Sequence, residues 1–227
     1  MPNFPFATVG FDLDGTLLDT ARDLGEALNH ALIGGGRKPV PLANVGNLIG
    51  GGARSMIVRA LAQQGAAEQG GDADDEVDAL LAVLLAHYTA HLANHTQPFP
   101  GAVAVLDELA ALGVRLAVVT NKREALARRL FDALGLGNRF FTIIGGDTLG
   151  PGHLKPAPDL LVEMQRRGGP GRAAFVGDTT YDVRAAHAAG MPCVAVSFGY
   201  CDAPPGQLGA DAVIDDFAEL VPALERL

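Results

Sequence analysis

Residues 7–16 read Ala-Thr-Val-Gly-Phe-Asp-Leu-Asp-Gly-Thr. The apolar run 7–11 ends on two carboxylates, Asp12 and Asp14, and then on Gly15. A continuous apolar run bounded by polar residues and glycine reads as a strand buried on both faces, the kind a parallel sheet contains. The alternation of an extended chain sends Asp12 and Asp14 to one side, and Gly15 permits the sharp turn that follows. In open α/β sheets, ligands bind beyond the carboxyl ends of the strands, which is where this pair falls. Two carboxylates about 4 Å apart repel by about 4 kcal/mol at an effective dielectric of about 20, so a shared proton or a hard cation must offset them.

Working outward, four more short apolar runs read as strands: 114–119, 173–176, 193–196 and 212–214, with 140–144 a sixth candidate. Helical stripes fill the gaps. Leu24, Leu28, Ala31 and Leu32 form one; Val77, Leu80, Leu81, Leu84, Leu85, Tyr88 and Leu92 form a longer one. Val103, Leu106 and Leu109 form a third, and Leu126, Leu130 and Leu134 a fourth. Strand and helix alternate after residue 100, which implies βαβ units with right-handed crossovers. Residues 18–98 break the alternation with helical patterns alone. They read as an inserted all-helical cap domain over a core of residues 1–17 and 99–227. Gly15-Thr16 and Pro98-Phe99-Pro100-Gly101 mark the two crossings, which provide a hinge. Within the cap, the acidic run 68–78 reads as a solvated loop entering a helix N-terminus. His87, His91 and His95 recur every four residues but have no HExxH motif; packing near the cap–core junction is their expected role.

Composition limits the functions open to the chain. It has 227 residues, 48% of them hydrophobic, enough for a sizeable core. The net charge is −9, which argues against nucleic-acid binding and against an anionic membrane surface. Cys193 and Cys201 are too few for a disulfide framework and read as free thiols in a reducing compartment. The N-terminus lacks the basic stretch of a targeting segment, and no apolar run approaches the ~20 residues of a membrane span. A cytoplasmic protein is expected.

Polar groups close three more of these segments. Thr120-Asn121 ends the run 114–119, Gly177-Asp178-Thr179-Thr180-Tyr181-Asp182 follows the run 173–176, and Lys155-Pro156 precedes a helical pattern. Together they put acids, hydroxyls and a lysine on one rim.

In order along the chain, DLDGT, TN, Lys-Pro and GDTTYD resemble the motifs of the haloacid-dehalogenase-like phosphohydrolases. The resemblance implies a Rossmann-like core, an aspartyl nucleophile and an obligatory Mg2+. Asp12 would take the phosphoryl group as an aspartyl-phosphate, which divides one hard step into two easier ones. Asp14 would protonate the leaving oxygen and later deprotonate the attacking water. By resemblance, Mg2+ would be held by the carboxylates of Asp12 and Asp178 and by the backbone carbonyl of Asp14. Thr120, Asn121 and Lys155 would hold the phosphoryl oxygens, and Asp182 would orient Lys155 or a metal-bound water. The acid at position 14 favours an oxygen leaving group over a halide.

The cap sequence Leu48-Ile49-Gly50-Gly51-Gly52-Ala53-Arg54 opens a helical pattern, where free N–H groups can meet an anion. It is similar to the cap loop of the phosphoglycolate phosphatases. Thr120-Asn121-Lys122, Gly145-Gly146-Asp147-Thr148-Leu149, Lys155-Pro156-Ala157-Pro158 and Phe198-Gly199-Tyr200 resemble the same group. Two features depart from it: Arg123 stands where proline is common, and the loop 150–154 is slightly long. Gly51, Gly52 and Arg54 are the expected specificity residues, with the Arg54 guanidinium gripping a substrate carboxylate. The expected function is Mg2+-dependent hydrolysis of phosphoglycolate, a small phosphorylated metabolite, by a monomer or homodimer. The alternatives are another small-metabolite or sugar phosphatase, a β-phosphoglucomutase-like phosphomutase and, in last place, a non-enzymatic binding module.

Overall fold

The computed structural model describes residues 4–65 and 71–227. Six parallel strands form one sheet: β1 (Thr8–Phe11), β4 (Arg115–Val119), β5 (Thr142–Ile144), β6 (Ala173–Gly177), β7 (Cys193–Val196) and β8 (Ala212–Ile214). The spatial order is β5-β4-β1-β6-β7-β8. The chain thus winds outward in both directions from β1, and the point of reversal lies at its carboxyl end, beside Asp12.

The inner strands are buried on both faces because their residues alternate between two apolar cores. Leu116 and Val118 of β4, Ala174 and Val176 of β6, and Val194 and Val196 of β7 join one core. Their neighbours Ala117 and Val119, Ala173 and Phe175, and Cys193 and Ala195 join the other. Helices α4 (Ala102–Ala111), α5 (Glu124–Ala133), α6 (Asp159–Gly168), α7 (Thr180–Ala188) and α8 (Leu220–Glu225) cover the sheet. The fold is therefore α/β and Rossmann-like.

Between β1 and α4 the chain makes the helical cap: α1 (Ala21–Gly34), α2 (Ala53–Ala62) and α3 (Gly71–Ala90). Leu24, Leu28 and Leu32 of α1 are buried together with Leu80, Leu84 and Tyr88 of α3, as their spacing requires. The two crossings to the sheet are themselves paired. Strand β2 (Leu18–Asp19) runs antiparallel to β3 (Gln97–Pro98), with Leu18 opposite Pro98 and Asp19 opposite Gln97.

Several local expectations need correction. The strand expected over 140–144 begins at Thr142, because Phe140 turns to pack on Phe131 at 4.9 Å between ring centroids. Lys155-Pro156 does not open a helix. Helix α6 starts at Asp159, after Pro158. Of the acidic run, Glu68 lies outside the described residues, whereas Glu76 makes a two-pronged ion pair with Arg37. His91 and His95 are exposed rather than packed at the junction. His95 lies beyond α3, and His87 stacks between His30, at 4.3 Å between ring centroids, and His91, at 4.2 Å. No helix among the described residues is long and apolar enough to cross a membrane.

Candidate active site

The strand ends bring three carboxylates together. Asp12 continues the β1 ladder, its N–H donating to Val176 O at 2.9 Å. Asp178 follows β6, and Asp182 sits in the first turn of α7. One oxygen from each carboxylate lies within 4.8 Å of the others, and all three residues are buried. Asp182 is fixed by its own turn: its Oδ2 accepts from the N–H groups of Asp178 and Thr179 and from the Thr179 hydroxyl at 2.6 Å. Asp178 accepts from the Thr16 hydroxyl at 3.0 Å and from the Tyr200 N–H at 2.7 Å.

The single ammonium at this cluster belongs to Lys155. Its Nζ donates to Asp182 Oδ1 at 2.6 Å and to Val119 O at 3.0 Å, and it pairs with Asp12 Oδ1 at 2.8 Å. One cation against three acids leaves the cluster short of positive charge. Burial pushes the Asp12 carboxyl up to about 6, with Lys155 opposing and Asp182 and Asp14 adding to the rise. Burial likewise holds Asp178 well above the ordinary carboxylate range, reinforced by Asp182 and Asp12. Burial alone would lower Lys155, but Asp12 and Asp182 hold it above the usual lysine range.

These residues fit a hard divalent cation. The donors are oxygens, the charge deficit is of the right sign, and the buried Asp12 Oδ1 has only the shared Lys155 ammonium, at 2.8 Å, for a partner. The backbone leaves room beside them. Gly15 has φ +85°, and a Cβ there or on Gly199 would collide with the Asp178 carboxylate.

Asp14 is held separately. Its Oδ1 accepts from the Thr20 hydroxyl at 2.6 Å, and Lys122 Nζ bonds both of its oxygens at 2.8 and 2.9 Å. Lys122 also lies over the ring of Tyr88, 4.9 Å from its centroid. The Tyr88 hydroxyl is pushed up to about 12 by burial, so it stays a neutral donor. Thr120 is buried, and its hydroxyl accepts from Lys122 N–H at 3.2 Å. The Asn121 side chain bridges backbone instead: Oδ1 accepts from Lys155 N–H, and Nδ2 donates to Lys155 O and to Gly50 O of the cap.

Asp12, Asp14, Thr120, Asn121 and Lys122 face a cavity of about 250 Å³ whose opposite wall comes from the cap. The Gly50–Gly51–Gly52 turn lines it, ahead of α2, together with apolar cap side chains such as Leu24, Met56 and Leu84. Arg54 reaches the rim, but its guanidinium is bound by Asp74 and Asp78 of α3. The two acids one turn apart on the neighbouring helix supply the carboxylates that a substrate was expected to bring.

Four participants were missed from the sequence. Lys122 and Thr20 hold Asp14. Tyr200 caps α1, its hydroxyl accepting from the N–H groups of Thr20 and Ala21 and donating to Asp19. Arg59 of α2 donates to the Tyr181 hydroxyl of α7 at 2.7 Å and so ties cap to core. A usable signal existed for Lys122 and Tyr200 alone, in the Thr-Asn-Lys and Phe-Gly-Tyr strings.

Comparison with known proteins agrees with this geometry. The profile of the haloacid dehalogenase-like hydrolases matches residues 9–196. The chain belongs to that family. It is 43% identical to a phosphoglycolate phosphatase of Agrobacterium fabrum, over 94% of this chain and 90% of that protein. It is 42% identical to a phosphoglycolate phosphatase of Rhodospirillum rubrum, over 92% of this chain and 87% of that one. Among solved structures, one described as a predicted phosphoglycolate phosphatase from Haemophilus somnus superposes with a TM-score of 0.86 at 32% identity. That match covers 96% of this chain and 97% of the other.

Proposed function

We propose that the protein is a Mg2+-dependent phosphomonoesterase that hydrolyses 2-phosphoglycolate to glycolate and phosphate. The observation that carries this reading is the meeting of Asp12, Asp178 and Asp182 with Lys155 at the end of the central strand, with Asp14 beside them on a cavity walled by the cap. The phosphoglycolate phosphatases to which the chain is similar support the choice of substrate. Asp12 and Asp178, with the Asp14 carbonyl, would hold Mg2+. When bound, the ion supplies charge that lets one anion approach another.

The chain's own residues carry the steps. An Asp12 oxygen attacks phosphorus, and the bond to the ester oxygen breaks as Asp14 gives that oxygen its proton. The glycolate leaves, and Asp12 holds the phosphoryl group as an acyl phosphate. A water then attacks this phosphorus, Asp14 takes the water's proton, and the Asp12 carboxylate is restored with release of phosphate. Thr120 and the N–H groups of its loop would bind the phosphoryl oxygens; Lys155, held by Asp182 and Val119 O, would turn the hydrogen that now faces Asp12 to a phosphoryl oxygen as Asp12 bonds to phosphorus. Asn121 contributes by clamping the Lys155 backbone.

The reading also divides the chain into a core of residues 1–17 and 99–227 and a cap of residues 18–98, which the β2–β3 pairing supports. The acidic balance favours a small anionic metabolite over nucleic acid or membrane, and we place the protein in the cytoplasm as a monomer or homodimer. A phosphate-release panel of small phosphoesters, with and without Mg2+, tests the proposal. The expected result is the highest kcat/KM for 2-phosphoglycolate and none without the metal. Equal turnover in chelator, or no release from any ester, overturns it.

A further inference from the structure

On the cap side of the cavity, Arg54 and Tyr88 are the polar side chains, the rest of that wall being apolar or glycine. Arg54 is already bound by Asp74 and Asp78. Tyr88 is 2% exposed, and its hydroxyl donates to no acceptor among the described residues, its polar neighbour being the Lys122 ammonium, which can only donate. A buried hydroxyl whose proton has no acceptor is costly, so a ligand oxygen that accepts from it gains what the free protein lacks. Directly over the Tyr88 ring stands Lys122, whose ammonium gives two of its three hydrogens to Asp14 and has only the neutral Tyr88 hydroxyl beside the third. Lys155 has no such reserve, being occupied by Val119 O, Asp12 and Asp182.

We propose that the Tyr88 hydroxyl and the Lys122 ammonium form the subsite for the substrate's carboxylate, one donor from the cap and one from the core. This rests on the phosphoglycolate reading and deepens it by naming what selects a phosphoester with a second anionic end. A carboxylate seated on Lys122 also draws the ammonium away from Asp14, the proton donor, so recognition and proton transfer meet at one residue. The subsite exists only with the cap against the core, since Tyr88 belongs to α3 and Lys122 follows β4.

The test compares 2-phosphoglycolate with ethyl phosphate, which lacks the carboxylate. Tyr88→Phe keeps the ring and removes the hydroxyl. It should lower the ratio of the two kcat/KM values by about ten-fold, through KM for 2-phosphoglycolate, because hydrogen bonds to charged groups discriminate at this level. Lys122→Met should lower the ratio further, and Lys122→Arg should restore part of it. If Tyr88→Phe fails to fold, the Lys122 pair carries the test. Wild-type enzyme that hydrolyses 2-phosphoglycolate, with the ratio unmoved in the folded variants, overturns the subsite alone. Wild-type enzyme inactive on every phosphoester overturns the functional reading and the subsite with it.

Discussion

The two walls of the cavity are built on opposite principles. On the strand-end side, Asp178, Asp182 and Lys155 converge behind Asp12 from three separate segments, and nearly every polar atom has a partner. On the cap wall, leucines and a methionine surround the single buried hydroxyl of Tyr88. One wall depends on exact charge placement and is intolerant of a lost partner. The other depends on filled volume, and it leaves open what the substrate's far end looks like. On the proposed reading the chemistry falls to the strand-end wall, and selectivity is shared between Tyr88 of the cap and Lys122 of the core.

Substitutions that treat the walls differently would break or sharpen this contrast. The largest effect is expected from Asp12→Asn, which should reduce phosphate release by about a thousand-fold or more, since removing a nucleophile leaves only positioning behind. Residual turnover near wild type would take the chemistry off the strand-end wall. Next comes Lys155→Met, which strands buried acids without their counter-ion. It should cost about 3–5 kcal/mol in urea unfolding, with Mg2+ restoring part of the loss. On the cap wall, Leu84→Ala should cost about 2–5 kcal/mol by opening a cavity at a fully buried site, and it should raise KM. A Leu84→Ala loss that Mg2+ restores to the same extent as the Lys155→Met loss would mean the walls are not separable.

A smaller effect concerns pH. Asp12 has its folded value raised from 3.8 to about 6, so its contribution to the metal-free protein is fully present below 3.8 and is lost as pH rises through about 6. Above that point Asp12 carries a buried negative charge beside Asp178 and Asp182, which Mg2+ would offset. The rise in Tm on adding Mg2+ should therefore be larger near pH 7.5 than near pH 5, as scanning calorimetry would measure. Equal rises would detach the metal from these acids. The smallest effect is expected from Arg54→Ala. Its exposed pairs with Asp74 and Asp78 should leave KM for 2-phosphoglycolate within about two-fold of wild type.

The strand-end wall was legible in the sequence because a parallel strand shows itself as an apolar run, and its first polar residue marks the rim. That rule located Asp12, Thr120 and Asp178 from local sequence alone. It failed where a side chain's partner comes from a distant helix. Arg54 looked available for a substrate because nothing in its neighbourhood reveals that Asp74 and Asp78 lie across α2 and α3. Tyr88 fell on a helical stripe and read as core, which it is by burial. Only the packed structure reveals that Tyr88 lines a cavity and stands beside Lys122. Lys122 stands beyond the strand, where alternation no longer tells which way a side chain turns. The delayed start of α6 reflects Pro156 and Pro158, which keep the chain out of helix until Asp159.

The pairing of Leu18 with Pro98 and Asp19 with Gln97 means that the whole helical excursion departs and returns through adjoining doorposts. No strand of the main sheet has to move for that excursion to be lengthened, trimmed or replaced. A lineage bearing this arrangement can revise its clientele by exchanging what hangs between the posts, while the machinery beneath them is inherited untouched.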